Sequence, residues 1–302
     1  MIVPFTLAIV ASLAGGPPSD SLHVSVEGTG PLVAFIPGLF GSAYAFRHVA
    51  PMVRAAGYRV AIIEPLGVGS SARPAQADYS LAAQSERIAA VLDTLRGGPA
   101  ILIAHSLGGA MAFRVALHHP ELVSGIVSLE GGPTEDAITP GFRRALRLAP
   151  LIRLLGGGVV RSRVRGMLKE SSGDPSWVTD EAVHGYTDGA TRELGASLRA
   201  YRAMSRAHEP APLAPELGKI RCPVRMLVGA APHDGGVGTE EMELLQRVLP
   251  FFAIDTIRGV GHYVHEERPV EVLWALQRLV AGVSRSDNST LPPEEYARRA
   301  RR

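Results

Sequence analysis

Two hydrophobic periods alternate along this chain. Short, continuous apolar runs bounded by glycine, proline or polar residues predict buried strands, and longer segments with apolar residues at helical spacing predict helices. Strands are predicted at 22–27, 32–36, 59–63, 100–104, 123–129, 224–228 and 252–257, and helices at 45–56, 80–95, about 110–118, 239–248 and 270–280. From residue 32 onward strands and helices take turns. This rhythm predicts an α/β fold, with a mostly parallel central sheet covered by helices on both faces.

The alternation stops between Glu130 and Lys219, where the pattern is helical and no strand is evident. We interpret this interruption as a helical cap inserted into the sheet domain. The sequence thus predicts an apolar N-terminal segment, a core in two parts, a cap between those parts and a polar tail. Their boundaries are 1–20 for the N-terminal segment, 21–132 and 219–283 for the core, 133–218 for the cap and 284–302 for the tail.

The N-terminal apolar run has two interpretations. Its length and the small residues Ser12 and Ala14 suit an export signal or membrane-surface anchor, although no Lys or Arg precedes it. It is shorter than the roughly 20 residues that span a bilayer. The alternative is an additional N-terminal strand. The protein is therefore expected either in the cytoplasm or exported and membrane-associated.

Composition narrows the class of partner. The formal net charge of +2 argues against nucleic acid as the main partner. Cys222 is the single cysteine, so no internal disulfide forms. A small-molecule substrate is the expected partner.

The stretch around Ser106 carries the strongest chemical signal. An apolar strand ends at His105, Ser106 follows at a turn, and Gly108 and Gly109 open a helical segment. This pattern predicts a nucleophile elbow, in which a strained turn presents the serine hydroxyl at the end of a strand. Ala104 stands where such elbows usually have a first glycine.

A serine hydroxyl needs a base to become nucleophilic, and the base needs a carboxylate to orient it. His262 lies on a glycine-rich loop after the last predicted strand. Two acids lie at strand ends, where parallel sheets bind their ligands: Glu130 before the cap and Asp234 after the following strand. Either can supply the carboxylate, and the sequence leaves both open.

In order and spacing, these pieces resemble the α/β-hydrolase superfamily over about residues 21–283. The resemblance rests on four motifs: Pro37 and Gly38 after the first core strand, the turn 64–70, the elbow 104–108, and Gly261 and His262 followed by Glu267 and Pro269. It implies that the backbone N–H groups of Leu39 and Leu107 form an oxyanion hole. Glu64 stands where the family commonly has aspartate, and we interpret it as structural.

The resemblance implies a serine hydrolase, of carboxylesterase type, that cleaves a carboxylic ester or related acyl compound through an acyl-enzyme. The alternative is a non-hydrolytic relative, such as a cofactor-free lyase or peroxidase or a small-molecule binding protein. No cofactor is expected. His262 and His265 lack the helical setting of a zinc pair, so no metal is expected either.

The cap carries a run of basic residues from Arg143 to Lys169 with no Asp or Glu among them. One interpretation is a basic amphipathic lid that makes weak contact with an anionic membrane surface, with Gly156, Gly157 and Gly158 as its hinge. The other is an ordinary cap helix with its arginines in water, and those glycines then form a plain loop.

Overall fold

One mixed sheet organises the protein, which we describe from a computed structural model covering residues 7–11, 20–133, 143–144, 146–147, 149, 152, 154 and 156–284. The strands are β1 Leu7–Ala11, β2 Leu22–Glu27, β3 Leu32–Ile36, β4 Arg59–Glu64, β5 Ala100–His105, β6 Val123–Leu129, β7 Val224–Gly229 and β8 Phe252–Ile257. Their order is β1-β2-β4-β3-β5-β6-β7-β8. Neighbours from β4 to β8 in this order are parallel, and β1 and β2 pair antiparallel at one edge.

Helices cover both faces of the sheet, which confirms the predicted fold class. They are α1 Val49–Ala55, α2 Leu81–Leu95, α3 Leu107–His118, α4 Gly157–Glu170, α5 Asp180–Arg192, α6 Leu194–Met204, α7 Thr239–Val248, α8 Val264–Glu267 and α9 Pro269–Ser284. Short 3-10 segments lie at Ala43–Phe46, Pro120–Leu122, Pro175–Trp177 and Ala214–Lys219.

The two faces of the sheet follow from the two-residue period of its strands. In β3, Ala34 and Ile36 pack with residues of α2 and α3, whereas Val33 and Phe35 pack with residues of α1 and α9. The strand is fully buried because both of its faces are covered, which explains its continuous apolar sequence.

One predicted helix is divided. Instead of a helix over 45–56, the chain forms a 3-10 turn at Ala43–Phe46 and then α1 from Val49. Pro51 explains the restart. Proline lacks an N–H and is tolerated in the first turn of a helix, where that group has no intrahelical partner, but not in the interior.

The N-terminal run contains β1, the strand interpretation that the sequence left open. The predicted tail, apart from Ser284 at the end of α9, lies outside the described residues. In the part of the chain that the structure describes, no helix combines the length and the apolar character that crossing a membrane requires.

The helices α4, α5 and α6 follow one another between β6 and β7, and we call residues 156–207 the helical insertion. Arg73 attaches it to the core. Its Nε donates to Ser197 Oγ at 2.9 Å, and Nη2 donates to the carbonyls of Gly189, at 3.0 Å, and of Gly69. One guanidinium therefore joins a core loop to α5 and α6.

The basic run from Arg143 to Lys169 includes α4, and its arginines differ in their contacts. Gly156 has φ +83° and caps α4, while Gly157 and Gly158 belong to the first turn of that helix rather than to a loop. Arg165 pairs with Asp180, and Arg163 is exposed at the rim of the cavity described below. Arg153 and several apolar residues of the run lie outside the described residues.

Candidate active site

Ser106 lies at a sharp turn between β5 and α3. Its backbone has φ +52° and ψ −120°, a left-handed conformation that costs roughly 1–3 kcal/mol for a residue with a side chain. The Ser106 N–H donates to the Leu129 carbonyl at 2.9 Å, and the Ser106 carbonyl accepts from the Gly109 N–H at 2.8 Å. The neighbouring strand and the helix thus hold the strained residue, as the predicted elbow requires.

Glycines allow the backbone around Ser106 to pack this closely. A Cβ at Gly108 would lie 2.3 Å from the Ile36 carbonyl oxygen, and one at Gly131 would lie 2.5 Å from the Ser106 carbonyl oxygen. Real Cβ atoms do not approach so near, so side chains at these positions would force the elements apart. Ala104 is fully buried in β5, where its methyl group fits.

The loop after β3 passes beside the serine. A Cβ at Gly38 would lie 3.2 Å from Ser106 Cβ, and Gly38, Leu39 and Ser106 line one cavity. Leu107 is the first residue of α3, so its N–H has no partner within the helix. Of the two residues predicted to form the oxyanion hole, Leu107 thus follows Ser106 directly and Leu39 lines the same cavity.

His262 lines the same cavity as Ser106, although among the described residues its ring makes no hydrogen bond to the serine hydroxyl. Burial is the main cause that lowers the pKa of His262 well below its ordinary value, and the nearby rings of His105 and His233 lower it further. The imidazole is thus neutral at pH 7 and can accept a proton. The missing hydrogen bond to Ser106 is compatible with this role, because hydrogen bonds between catalytic groups are often long without substrate and shorten when substrate binds.

The two candidate acids have different surroundings. Glu130 follows β6 and is 2% exposed, with φ +51°. It accepts a hydrogen bond from the Gly229 N–H, and one of its oxygens lies within 4.8 Å of a ring nitrogen of His262. Asp234 is exposed at the cavity rim. The fold brings Glu130, and not Asp234, into the buried space beside the histidine.

His233 is a further member of this cluster, and the sequence analysis did not single it out. Its Nδ1 lies 2.7 Å from the Ala231 carbonyl and its Nε2 lies 3.3 Å from Glu130 Oε2. Glu130 is the main cause that raises the pKa of His233. The only signal in the sequence is its position beside Asp234 in the loop after β7.

Glu130, His233 and His262 are the group of described residues closest to a metal-ligand set. Their donor atoms lie within 4.8 Å of one another. The distance of 3.3 Å between His233 Nε2 and Glu130 Oε2 makes this a cluster of one carboxylate and two imidazoles.

The cavity above Ser106 has a volume of about 820 Å³ and lies between the sheet core and the helical insertion. Most of its wall is apolar. The insertion contributes Val160, Val164, Met167, Leu198 and Tyr201. The charged side chains among the described lining residues, Arg163, Glu170 and Asp234, are exposed, so they lie at the rim. Such a cavity suits a ligand with a substantial apolar part.

Comparison with known proteins agrees with this architecture. Residues 31–148 match the family described as the α/β-hydrolase fold. The crystal structure of Cfl2 from Burkholderia cenocepacia superposes with a TM-score of 0.71 at 24% identity, covering 85% of this chain and 91% of that one. The chain has the α/β-hydrolase fold.

Two relatives that cover most of the chain are named as hydrolytic enzymes. The chain is 25% identical to 2-(acetamidomethylene)succinate hydrolase of Mesorhizobium japonicum, over 86% of this chain and 91% of that protein. It is 26% identical to the sn-1-specific diacylglycerol lipase ABHD11 of Mus musculus, over 84% of this chain and 82% of the lipase. These similarities support a hydrolase of the α/β-hydrolase superfamily.

Proposed function

We propose that the protein is a serine hydrolase that cleaves a carboxylic ester or a related acyl compound through an acyl-enzyme intermediate. The observation that carries the proposal is Ser106, held at φ +52° between β5 and α3 in a cavity that it shares with the neutral ring of His262. An activated serine beside a base is the arrangement that acyl transfer needs.

In the proposed reaction, Ser106 Oγ attacks the acyl carbon while His262 takes the hydroxyl proton. The oxygen of the tetrahedral intermediate receives the N–H groups of Leu39 and Leu107, and removal of one such donor typically costs about 10²–10³ in rate. His262 then protonates the leaving alcohol or amine. His262 then takes a proton from water as the water attacks the acyl carbon. The bond from that carbon to Ser106 Oγ breaks, His262 returns the proton to Oγ, and the acid is released.

We assign the orienting acid to Glu130. His262 Nδ1 is buried and has no hydrogen-bond partner among the described residues, and Glu130 is the nearby buried carboxylate. Each carboxylate oxygen has two acceptor sites, so Glu130 can hold Gly229, His233 and His262 together. A negative charge there stabilises the imidazolium that forms in the transition state.

The substrate is proposed to carry an apolar group large enough to use the cavity of about 820 Å³. Two relatives support acyl chemistry: one is named as a hydrolase of an acetamido compound and the other as a diacylglycerol lipase. The proposed steps are the same for an ester and for an amide, and the two substrates differ only in whether the leaving group is an alcohol or an amine.

Ser106→Ala tests the proposal, with Ser124→Ala as the matched control. Ser124 lies at the start of β6, at the end of that strand opposite to Glu130, and its hydroxyl donates to the Pro99 carbonyl. Hydrolysis of p-nitrophenyl butyrate should fall by at least about 10⁴-fold in Ser106→Ala and stay unchanged in Ser124→Ala. A fluorophosphonate probe should label the wild-type protein at Ser106. An unlabelled, folded wild-type protein would favour the non-hydrolytic alternative.

A further inference from the structure

The backbone of His262 is held from two sides. Its N–H donates to the carbonyl of Ser171, at the end of α4 in the helical insertion, at 2.8 Å. Its carbonyl accepts from His105 Nε2, next to Ser106 in sequence, at 3.0 Å. The proposed base is therefore fixed between the nucleophile turn and a segment of the insertion.

Close backbone packing accompanies these hydrogen bonds. A Cβ at Gly173 would lie 2.2 Å from the Gly259 carbonyl oxygen, and a Cβ at Gly261 would lie 2.3 Å from the Ser171 carbonyl oxygen. The segment 171–174 and the loop 259–262 thus touch through their main chains. Only residues without side chains permit this approach.

Glu267 joins the same two segments a second time. Its buried carboxylate accepts from the Gly261 N–H at 3.0 Å and from the Asp174 N–H at 2.7 Å. Hydrogen bonds from backbone N–H groups to a charged acceptor are among the stronger ones in proteins. One carboxylate therefore spans the residue before His262 and the insertion.

The contact with His262 is continuous with the wall of the cavity. Val160, Val164 and Met167 of α4 line the cavity, and Ser171 follows directly after that helix. A ligand that shifts α4 must also shift the acceptor of the His262 N–H. Substrate contacts and the position of the base are thereby linked through one helix.

We propose that Glu267 and residues 171–174 of the insertion form a positioning device for His262, so that the insertion controls proton transfer as well as the shape of the cavity. We call this set the histidine clamp. The proposal rests on the proposed function of His262 as the base. It predicts that loosening the clamp lowers kcat more than it raises KM.

Two variants loosen the clamp from opposite sides. Gly173→Ala pushes residues 171–174 away from the loop, and Glu267→Gln replaces one of the two acceptor oxygens with a donor. In each, kcat for p-nitrophenyl butyrate should fall about 10- to 100-fold, the range expected for displacements near 1 Å, with KM nearly unchanged. Arg73→Gln is the matched control, because it loosens the insertion from the core at another attachment.

The titration of His262 gives a readout that does not depend on turnover. The titratable side chains near its ring are His105 from β5, Glu130 after β6, His233 and Asp234 after β7, the adjacent Tyr263, and His265 and Glu267 of α8. Gly173→Ala changes none of them. Glu267→Gln removes one negative charge, which by itself lowers the pKa of a nearby histidine, so a rise of the pKa in that variant has to come from the loosened contact. Loosening the clamp admits water to the ring, so the pKa of His262 should rise towards its ordinary value, whereas Arg73→Gln should leave that pKa in place.

We would record this titration by NMR of histidine-labelled protein in the Ser106→Ala background. The clamp is supported if Glu267→Gln and Gly173→Ala both raise the pKa of His262 and Arg73→Gln does not. It is overturned if His262 titrates as in the parent protein, or if Arg73→Gln shifts the pKa equally. Should Gly173→Ala fail to fold, Glu267→Gln decides. Failure of the proposed function would show separately, as an unlabelled Ser106.

Discussion

Two buried glutamates at strand ends show how similar residues take on different roles. Glu64 ends β4 in regular extended backbone and accepts the N–H groups of Ala43, at 2.7 Å, and Ser70, at 2.5 Å. Glu130 follows β6 with φ +51°, accepts one backbone N–H, from Gly229, and otherwise faces the rings of His233 and His262. One carboxylate joins loops together, whereas the other faces groups that exchange protons.

The histidines near these two carboxylates differ only in part. The hydrogen bond to Glu64 is the main cause that raises the pKa of the partly exposed His23, and Glu130 raises the pKa of His233 in the same way. Burial is the main cause that lowers the pKa values of His105 and His262. The region of Glu64 thus has a histidine whose charged form is favoured, whereas the proposed site combines such a histidine with imidazoles that burial keeps neutral.

The largest expected effect comes from Glu130→Gln. An amide cannot stabilise the imidazolium of His262 as a carboxylate does, and loss of the orienting acid costs about 10⁴-fold in kcat in a well-studied triad. We expect a loss of about 10³- to 10⁴-fold in turnover of p-nitrophenyl butyrate, with a small change in melting temperature. Steady-state kinetics and thermal unfolding of the same sample measure both.

Asp234→Asn is the comparison for that experiment. Because Asp234 is exposed at the cavity rim, its amide variant should keep most of the turnover. If Asp234→Asn were the more damaging change, the assignment of the acid to Glu130 would be wrong.

Glu64→Ala should act on stability instead. The change leaves the partly buried N–H groups of Ala43 and Ser70 without their acceptor, and each unsatisfied donor costs up to about 1–3 kcal/mol, the value for a fully buried group. We expect the free energy of unfolding to fall by about 3 kcal/mol in urea titrations, while the remaining folded protein still reacts with a fluorophosphonate. Glu27→Ala, which breaks an exposed pair with Arg54, is the control and should change stability little. Equal effects from the two variants would remove Glu64 from its structural role.

The smallest expected effect is a dependence of stability on pH. The pKa of His105 is lowered to about 4 by burial, so the folded protein keeps this ring neutral where the unfolded chain protonates it near pH 6.5. Protonation of His105 in the unfolded chain favours unfolding. The free energy of unfolding therefore keeps its full value above about pH 6.5 and decreases as the pH falls towards 4. Between pH 8 and pH 5 His105 alone should account for about 2 kcal/mol.

His105→Gln checks this pH dependence. The unfolding free energy of the variant should change by about 2 kcal/mol less between pH 8 and pH 5 than that of the wild type. The exposed His118 supplies a control, since His118→Gln should retain the full dependence. An unaltered pH dependence in His105→Gln would show that its ring is not kept neutral by the fold.

Much of the fold could be predicted because the sheet is buried on both faces. The ends of β2, β3, β6 and β8 agree with the predicted strands, and Ser80 caps α2 by accepting from the Ala83 N–H. The ends of apolar runs and a capping side chain set these boundaries, and both can be recognised in the sequence. The division near residue 47 differs from the predicted continuous helix because Pro51 is tolerated only in the first turn of a helix, which the helical period of 45–56 does not reveal.

The site could be predicted only in part. Ser106, Glu130 and His262 each follow a parallel strand, and the carboxyl ends of parallel strands meet at one edge of the sheet. Their positions after predicted strands were therefore enough to propose them as site residues. The preference for Glu130 over Asp234 depends on the path of the loop after β7, which carries Asp234 to the surface and His233 inward. The contact between Ser171 and His262 depends on how the insertion packs, and no local pattern encodes it.

The hydrogen bond from the His262 N–H to the Ser171 carbonyl has a consequence for engineering. Exchanging the entire insertion for that of a relative would replace cavity-lining residues and would also replace the segment 171–174, whose close packing sets the position of the carbonyl that holds the proposed base. A chimera that keeps residues 171–174 and exchanges only α5 and α6 avoids this loss. Specificity can then be redesigned without retuning proton transfer.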